Sequence, residues 1–153
     1  MARVEVRGFH EVDRLFNELR IEAEDVAIKA VNQAAPIVED SIKRTLEQVT
    51  DKGYSTGELT QSVRASEAKT NAWGVFSVVG PTGENKRGIP NAEIAAYLEY
   101  GVHEGARQKH HKAKTNGYKQ EPRPWRRLSA MRAETAVIDE VQQVITDMTE
   151  ALL

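Results

Sequence analysis

Three of the four histidines, His103, His110 and His111, fall within nine residues, with Glu104 and Glu121 nearby. Imidazole and carboxylate are the donors that zinc or nickel accepts. A metal site also needs its ligands fixed in space. His110 and His111 are adjacent rather than one helical turn apart, and Lys109, Lys112 and Lys114 surround them with repelling charge. The sequence therefore assigns no metal, and these histidines read as solvated loop residues. The stretch Gly80-Pro81-Thr82-Gly83-Glu84-Asn85-Lys86-Arg87-Gly88 has the glycine content of a phosphate cradle. It lacks the Gly-x-x-x-x-Gly-Lys-Ser/Thr order and the helix behind it, so it reads as a surface loop. Glu93 and Glu99 would have to converge to act as an acid–base pair, and their spacing does not require that. Asp13, Glu18, Glu39 and Asp40 read as a solvated helix face, and Ser41, Ser55 and Ser62 sit in no nucleophile elbow. The chain has no cysteine, which excludes disulfides, thiolate catalysis and iron–sulfur ligation. No catalytic residue and no cofactor are assigned, and the chain reads as a non-enzyme.

What remains is charge. Between His103 and Arg127 stand eight cations: Arg107, Lys109, Lys112, Lys114, Lys119, Arg123, Arg126 and Arg127. Only Glu104 and Glu121 oppose them, so the stretch carries +6 while the whole chain carries −2. The remainder must carry −8, and the molecule is polarised along its sequence. With Tyr118 and Trp125 interleaved, such a stretch can meet nucleic acid through phosphates with little sequence readout. The plainer reading is a solvated or disordered loop that orders against a protein partner. Its length inside a small domain points to a binding role or to no fixed structure.

The elements that would position this loop can be read from periodicity. Residues 2–7 alternate, with Val4 and Val6 on one face, as in a half-buried strand ended by Gly8. From about residue 10 the spacing becomes helical: Val12, Leu15, Phe16, Leu19, Ala23, Val26, Ala27, Ala30 and Ala34. Pro36 interrupts this run, and Ile37, Val38, Ile42, Leu46 and Val49 resume it. The expectation is one kinked helix over 10–49 or two helices meeting near residue 36. A polar, glycine-containing turn follows over 50–57, and residues 56–62 can make one helical turn. Segments 62–68 and 73–80 read as an antiparallel pair of strands joined by a turn at 69–72. Trp73, Val75 and Val79 share one face of the second strand, and Phe76 and Val78 the other. After the 80–91 loop, 92–100 reads as a short helix stopped by Gly101. Pro124 opens a final helix, with Trp125, Leu128, Met131, Thr135, Ile138, Val141, Ile145, Met148 and Leu152 as its core stripe.

The 153 residues are 40% hydrophobic and 29% charged, which suits one folded domain with a core and argues against general disorder. No apolar run is long enough to cross a membrane, and the first residues lack the apolar core of a signal peptide. The reading is a single α+β domain over 1–153, with a flexible basic loop at about 102–121. A small antiparallel sheet packs against a long, kinked N-terminal helix and a C-terminal helix. Tyr97, Leu98, Tyr100, Gly101, Pro124 and Trp125 are the expected core anchors of the loop.

Val4-x-Val6-x-Gly8-Phe9 runs into a helix with Leu15 and Leu19, Ala34-Ala35-Pro36 comes late in it, and the motifs at 56–63, 96–101 and 123–130 follow in order. This order resembles the head–tail connector proteins of long-tailed bacteriophages, also called neck, tail-completion or minor tail-component proteins. Thr56-Gly57-x-Leu59-x-x-Ser62-Val63 is similar to the family's entry into its sheet, and the strand 75–80 follows. Ala96-Tyr97-Leu98-Glu99-Tyr100-Gly101 is similar to its tyrosine–alanine … valine–glutamate–phenylalanine–glycine block. Arg123-Pro124-Trp125-x-x-Leu128-x-Ala130 is similar to its arginine–proline–phenylalanine–leucine–x–proline–alanine block. Trp125 stands where phenylalanine is usual, Ser129 replaces a proline, and residues 37–49 lengthen the first helix.

The resemblance implies a structural virion protein without chemistry. Such proteins form rings at the junction of capsid portal and tail tube, through which the genome passes. Expected partners are further copies of the chain in a ring and neighbouring head-completion and tail proteins, with non-specific DNA contact in the channel and no membrane. The candidate assembly or DNA-channel residues are Arg107, Lys109, His110, His111, Lys112, Lys114 and Lys119. The alternative is a small nucleic-acid-binding protein using the basic stretch 103–127.

Overall fold

A long helix, α1 (Phe9–Val49), forms the middle layer of the fold in the computed structural model, which describes residues 9–50, 57–102 and 120–152. The proposed strand at 2–7 lies outside those residues. The order continues with α2 (Glu58–Gln61), β1 (Val63–Ala65), β2 (Lys69–Asn71), β3 (Gly74–Phe76), β4 (Val79–Pro81), α3 (Asn91–Tyr100) and α4 (Trp125–Leu152). At about 1.5 Å per residue, the 41 residues of α1 span roughly 60 Å. The helix is continuous across Pro36. The two-helix alternative is thereby excluded. Proline removes one backbone bond, but the flanking turns are held on both sides. Ala34 and Ala35 are buried before it, and Ile42, Thr45 and Leu46 after it.

The strands form one ribbon with an interruption. β1 pairs with β4 (Arg64 opposite Gly80), and β2 pairs with β3 (Lys69 opposite Phe76, Asn71 opposite Gly74), both antiparallel. The hairpin turn therefore falls at residues 72–73, later than the 69–72 expected, and Trp73 belongs to the turn rather than to a strand face. Asn71 causes this. Its side-chain oxygen accepts the N–H groups of Trp73 (2.8 Å) and Gly74 (3.1 Å). Gly74, at φ 137°, takes the backbone angle other residues avoid. Between the two pairs, the Ser66 hydroxyl accepts the Val78 N–H at 3.0 Å, and the Ser77 hydroxyl donates to the Ser66 carbonyl at 2.7 Å. One backbone bond persists there, from the Ser66 N–H to the Val78 carbonyl at 2.9 Å, but the side-chain bonds interrupt the ladder beyond it, and one sheet becomes two.

α1 lies between the ribbon and α4. On one side, Asn32 Oδ1 accepts the Ala68 N–H (2.8 Å), and Glu39 Oε2 accepts the Ala65 N–H (2.7 Å). On the other, the Ser41 hydroxyl donates to the Ser129 carbonyl at 2.8 Å, and Arg132 donates to Thr45 Oγ1 at 3.2 Å. At about 100° per residue, Ser41 and Thr45 lie roughly 120–160° around the helix from Glu39. The layers are therefore ribbon, α1, α4. The core gathers at the C-terminal half of α1: Ile42 and Leu46, Leu59 of α2, Val63 of β1, Ala95 and Leu98 of α3, and Trp125 of α4.

α4 departs from its expected stripe in part, for Trp125 is buried and Val141 and Met148 are half-buried as expected. Its buried residues are Trp125, Ser129, Ala133 and Val144, whereas Leu128, Met131, Ile138 and Ile145 are 37%, 63%, 48% and 48% exposed. Where α4 meets α1, small side chains take the contact: the Ser41 hydroxyl meets the Ser129 carbonyl, and Ala133 is buried. Small side chains let two helices approach closely, which leaves the bulky face outside.

Candidate assembly interface

The basic loop leaves and re-enters the domain through a frame that the structure fixes closely. Val102 and Gln120 form an antiparallel bridge, with N–H to carbonyl distances of 2.9 and 3.0 Å. Gly101 closes α3 with φ 74° and ψ 179°, a region open essentially to glycine alone. A Cβ there would lie 2.5 Å from the Gln120 carbonyl oxygen and 3.0 Å from Pro122. The return strand is then tied down residue by residue. The Arg123 N–H donates to the Leu98 carbonyl at 2.7 Å. The Arg123 guanidinium donates to the Val49 carbonyl, placing a cation at the negative end of α1. The Trp125 indole N–H donates to the Ala95 carbonyl at 2.8 Å, and the ring is 3% exposed. Glu99 Oε2 accepts the Arg126 N–H at 2.9 Å, so a carboxylate from α3 satisfies a free donor at the start of α4. The Arg126 guanidinium lies 5.4 Å from the centre of the Trp125 ring.

Of the expected anchors, Leu98 and Trp125 are buried, and Tyr97 is half-buried. The Tyr97 hydroxyl donates to Glu93 Oε1 at 2.5 Å, and this bond to a carboxylate raises the phenol's pKa. Tyr100 is a correction: it is 65% exposed and is not a core residue. On α3 the buried side chains are Asn91, Ala95 and Leu98, and Tyr100 lies off that face. Pro124 is exposed, and its carbonyl accepts the Leu128 N–H at 3.3 Å in the first turn of α4. Arg107, Lys109, His110, His111, Lys112, Lys114 and Lys119 lie outside the described residues. Sequence reasoning missed Glu99 and Arg123 as parts of the frame. The signal was present for Glu99, a carboxylate ahead of a proline-opened helix, but its partner lies 27 residues away.

Elsewhere among the described residues, the polar side chains make structural contacts. Glu58 holds Lys86 at 3.0 Å across the 80–91 loop, and the Lys86 ammonium lowers the Glu58 pKa. Asn91 fastens that loop to α3 by donating to the Thr82 carbonyl at 2.8 Å. These bonds hold an ordered, exposed surface loop. The groove between α1 and α4 is open and of mixed lining, with Ile37, Ala133 and Ala136 beside Asp40, Arg44 and Arg132. Among the described residues, no group of three His, Asp or Glu side chains could hold a metal, and no helix is long and apolar enough to cross a membrane.

Comparison with known families agrees with this picture of a scaffold. Residues 11–101 match the family described as "Bacteriophage HK97-gp10, putative tail-component". The match covers more than half of the chain, and the protein belongs to this family of phage tail components, which are structural virion proteins. Membership implies a place in the virion and contacts with other tail proteins. The matched span ends at Gly101, so the basic loop and α4 lie beyond it. No curated protein and no solved structure matches the chain.

Proposed function

We propose that the chain is a neck or tail-completion protein that assembles as a ring at the head–tail junction, around the path of the genome. It acts as one connector-type domain. The loop at 102–121 carries Arg107, Lys109, His110, His111, Lys112, Lys114 and Lys119 toward the channel or onto an adjacent ring. The observation that carries this reading is the frame at the loop base. Bonds from α1, α3 and α4 converge on residues 101–126, which is the construction expected where a cationic segment is held out by a rigid scaffold. The polarity of the chain supports a head-to-tail ring, in which one subunit's basic side meets its neighbour's acidic side.

The test is reconstitution. Purified protein added to separately prepared capsids and tails should restore joined particles, and electron microscopy should place a ring of it at the joint. Duplex DNA binding by the isolated chain, falling steeply with salt and without any ring, would instead favour a nucleic-acid-binding role.

A further inference from the structure

The three-layer order leaves apolar side chains on both outer faces. On α4, Leu128, Met131, Ile138 and Ile145 recur at three- and seven-residue spacings, with exposed Thr135 and Gln142 completing a heptad seam. Ile138 lies five residues from buried Ala133, about 140° around the helix at 3.6 residues per turn. The seam therefore points away from α1. On the ribbon, Val75 and Val79 are half-buried toward α1, whereas Phe76 and Val78 are 39% and 61% exposed on the opposite side. Trp73 is 95% exposed at the turn. Phe76 stands directly across from Lys69, and Arg64 across from the bare Gly80, so two cations share the ribbon's outer face. Past its first turns, which hold Arg126, Arg127 and Arg132, α4 has the opposite charge. After Arg132 it carries Glu134, Asp139, Glu140, Asp147 and Glu150 and no Lys or Arg.

We propose that the outer face of the β2–β3 ribbon of one subunit docks on the outward heptad seam of α4 of a second copy. The two surfaces lie on opposite sides of one subunit, so the contact is head-to-tail and can repeat around a ring. It brings Phe76, Val78 and Trp73 onto Leu128, Met131, Ile138 and Ile145, with Arg64 and Lys69 beside the acidic flank. Pairing of α4 with α4 would bury the seam but leave the ribbon's aromatic residues uncovered. The proposal rests on the ring reading above and names the surfaces that would build it.

The test uses two variants of the full chain, Ile138→Asp with Ile145→Asp, and Phe76→Asp with Val78→Asp. All four positions are exposed, so folding should survive, and circular dichroism checks this. Each variant alone should be monomeric where the parent chain is assembled. Mixed, they retain one intact seam and one intact ribbon between them, and should form a 1:1 pair that grows no further. A parent chain that remains monomeric to about 1 mM, a ribbon variant that assembles like the parent, or a mixture that stays monomeric overturns the contact. If the 1:1 pair forms but the parent makes open chains, the contact stands and the ring reading fails. If the parent forms rings and both variants do too, the ring stands and the contact fails. Because the chain has no cysteine, Val78→Cys and Ile138→Cys chains, mixed and oxidised, give a second readout. A covalent heterodimer is expected, and its absence counts against the contact even if an aspartate variant misfolds.

Discussion

The indole of Trp125 donates its N–H to the carbonyl of Ala95 at 2.8 Å, joining α4 to α3 across the core at the point where the basic loop returns. One side chain therefore supplies both buried area and the position of the loop's re-entry. Trp125→Ala should lower unfolding stability by about 3–5 kcal/mol. Trp125→Phe keeps most of the bulk and removes one hydrogen bond to a carbonyl that stays within the ladder of α3, so about 1 kcal/mol is expected. Urea denaturation of the three proteins measures this, and equal midpoints for Trp125→Phe and the parent would show that the hydrogen bond contributes nothing.

Gly101 has the same role on the exit side. Gly101→Ala adds a Cβ against the Gln120 carbonyl oxygen at a backbone angle of φ 74°. The bridge between Val102 and Gln120 should open, with a loss of about 1–3 kcal/mol. Hydrogen exchange at those two amides should rise sharply, while exchange in the middle of α1 stays near that of the parent. Unchanged protection at residues 102 and 120 would mean that the glycine is not required.

Pro36 interrupts the hydrogen bonding of α1 at an exposed position without ending the helix. Pro36→Ala restores an N–H facing the Asn32 carbonyl and should stabilise the protein by up to ~3 kcal/mol. Thermal unfolding reads the effect. A lowered melting temperature would show that α1 depends on the proline's geometry to meet both neighbouring layers.

Glu39 ties α1 to β1 and also holds Lys43 at 2.5 Å. The Lys43 ammonium, with help from the Ala65 N–H, lowers its pKa below the ordinary carboxylate value. The folded pKa is the lower of the two, so the folded state binds this proton more weakly than the unfolded chain. The contribution is present above the unfolded value of about 4.3 and is lost as pH falls through the folded one. Glu39→Gln should lose about 1 kcal/mol at neutral pH and show a flatter decline of stability below pH ~5. An identical acid limb in the variant and the parent would remove Glu39 from the account.

The long helices, the short helix at 91–100 and the glycine stop at 101 were legible because each follows from local periodicity or backbone preference. Three features were not. The ribbon's register depends on the Asn71 and Ser66 side chains, which compete with the ladder and leave no mark in hydrophobic alternation. The buried face of α4 depends on its partner. Small side chains, Ser129 and Ala133, take the inner face against α1, so Leu128, Met131, Ile138 and Ile145 lie outside while Trp125 stays buried. Tyr100 was misplaced because an aromatic residue next to a core block looks like core, whereas α3 turns its inner face through Ala95 and Leu98. For the loop, composition alone gave the charge. The frame that holds its ends rests on the Glu99 and Arg123 bonds, whose partners are 27 and 74 residues away.

Head-to-tail assembly into a closed ring is the central functional claim. Analytical ultracentrifugation over a wide concentration range, paired with electron microscopy of the same samples alone and with purified tails, tests it most directly. The account predicts one closed species of several subunits with rotational symmetry. A chain that stays monomeric throughout, with and without tails, or that stops at a two-fold dimer, would contradict it.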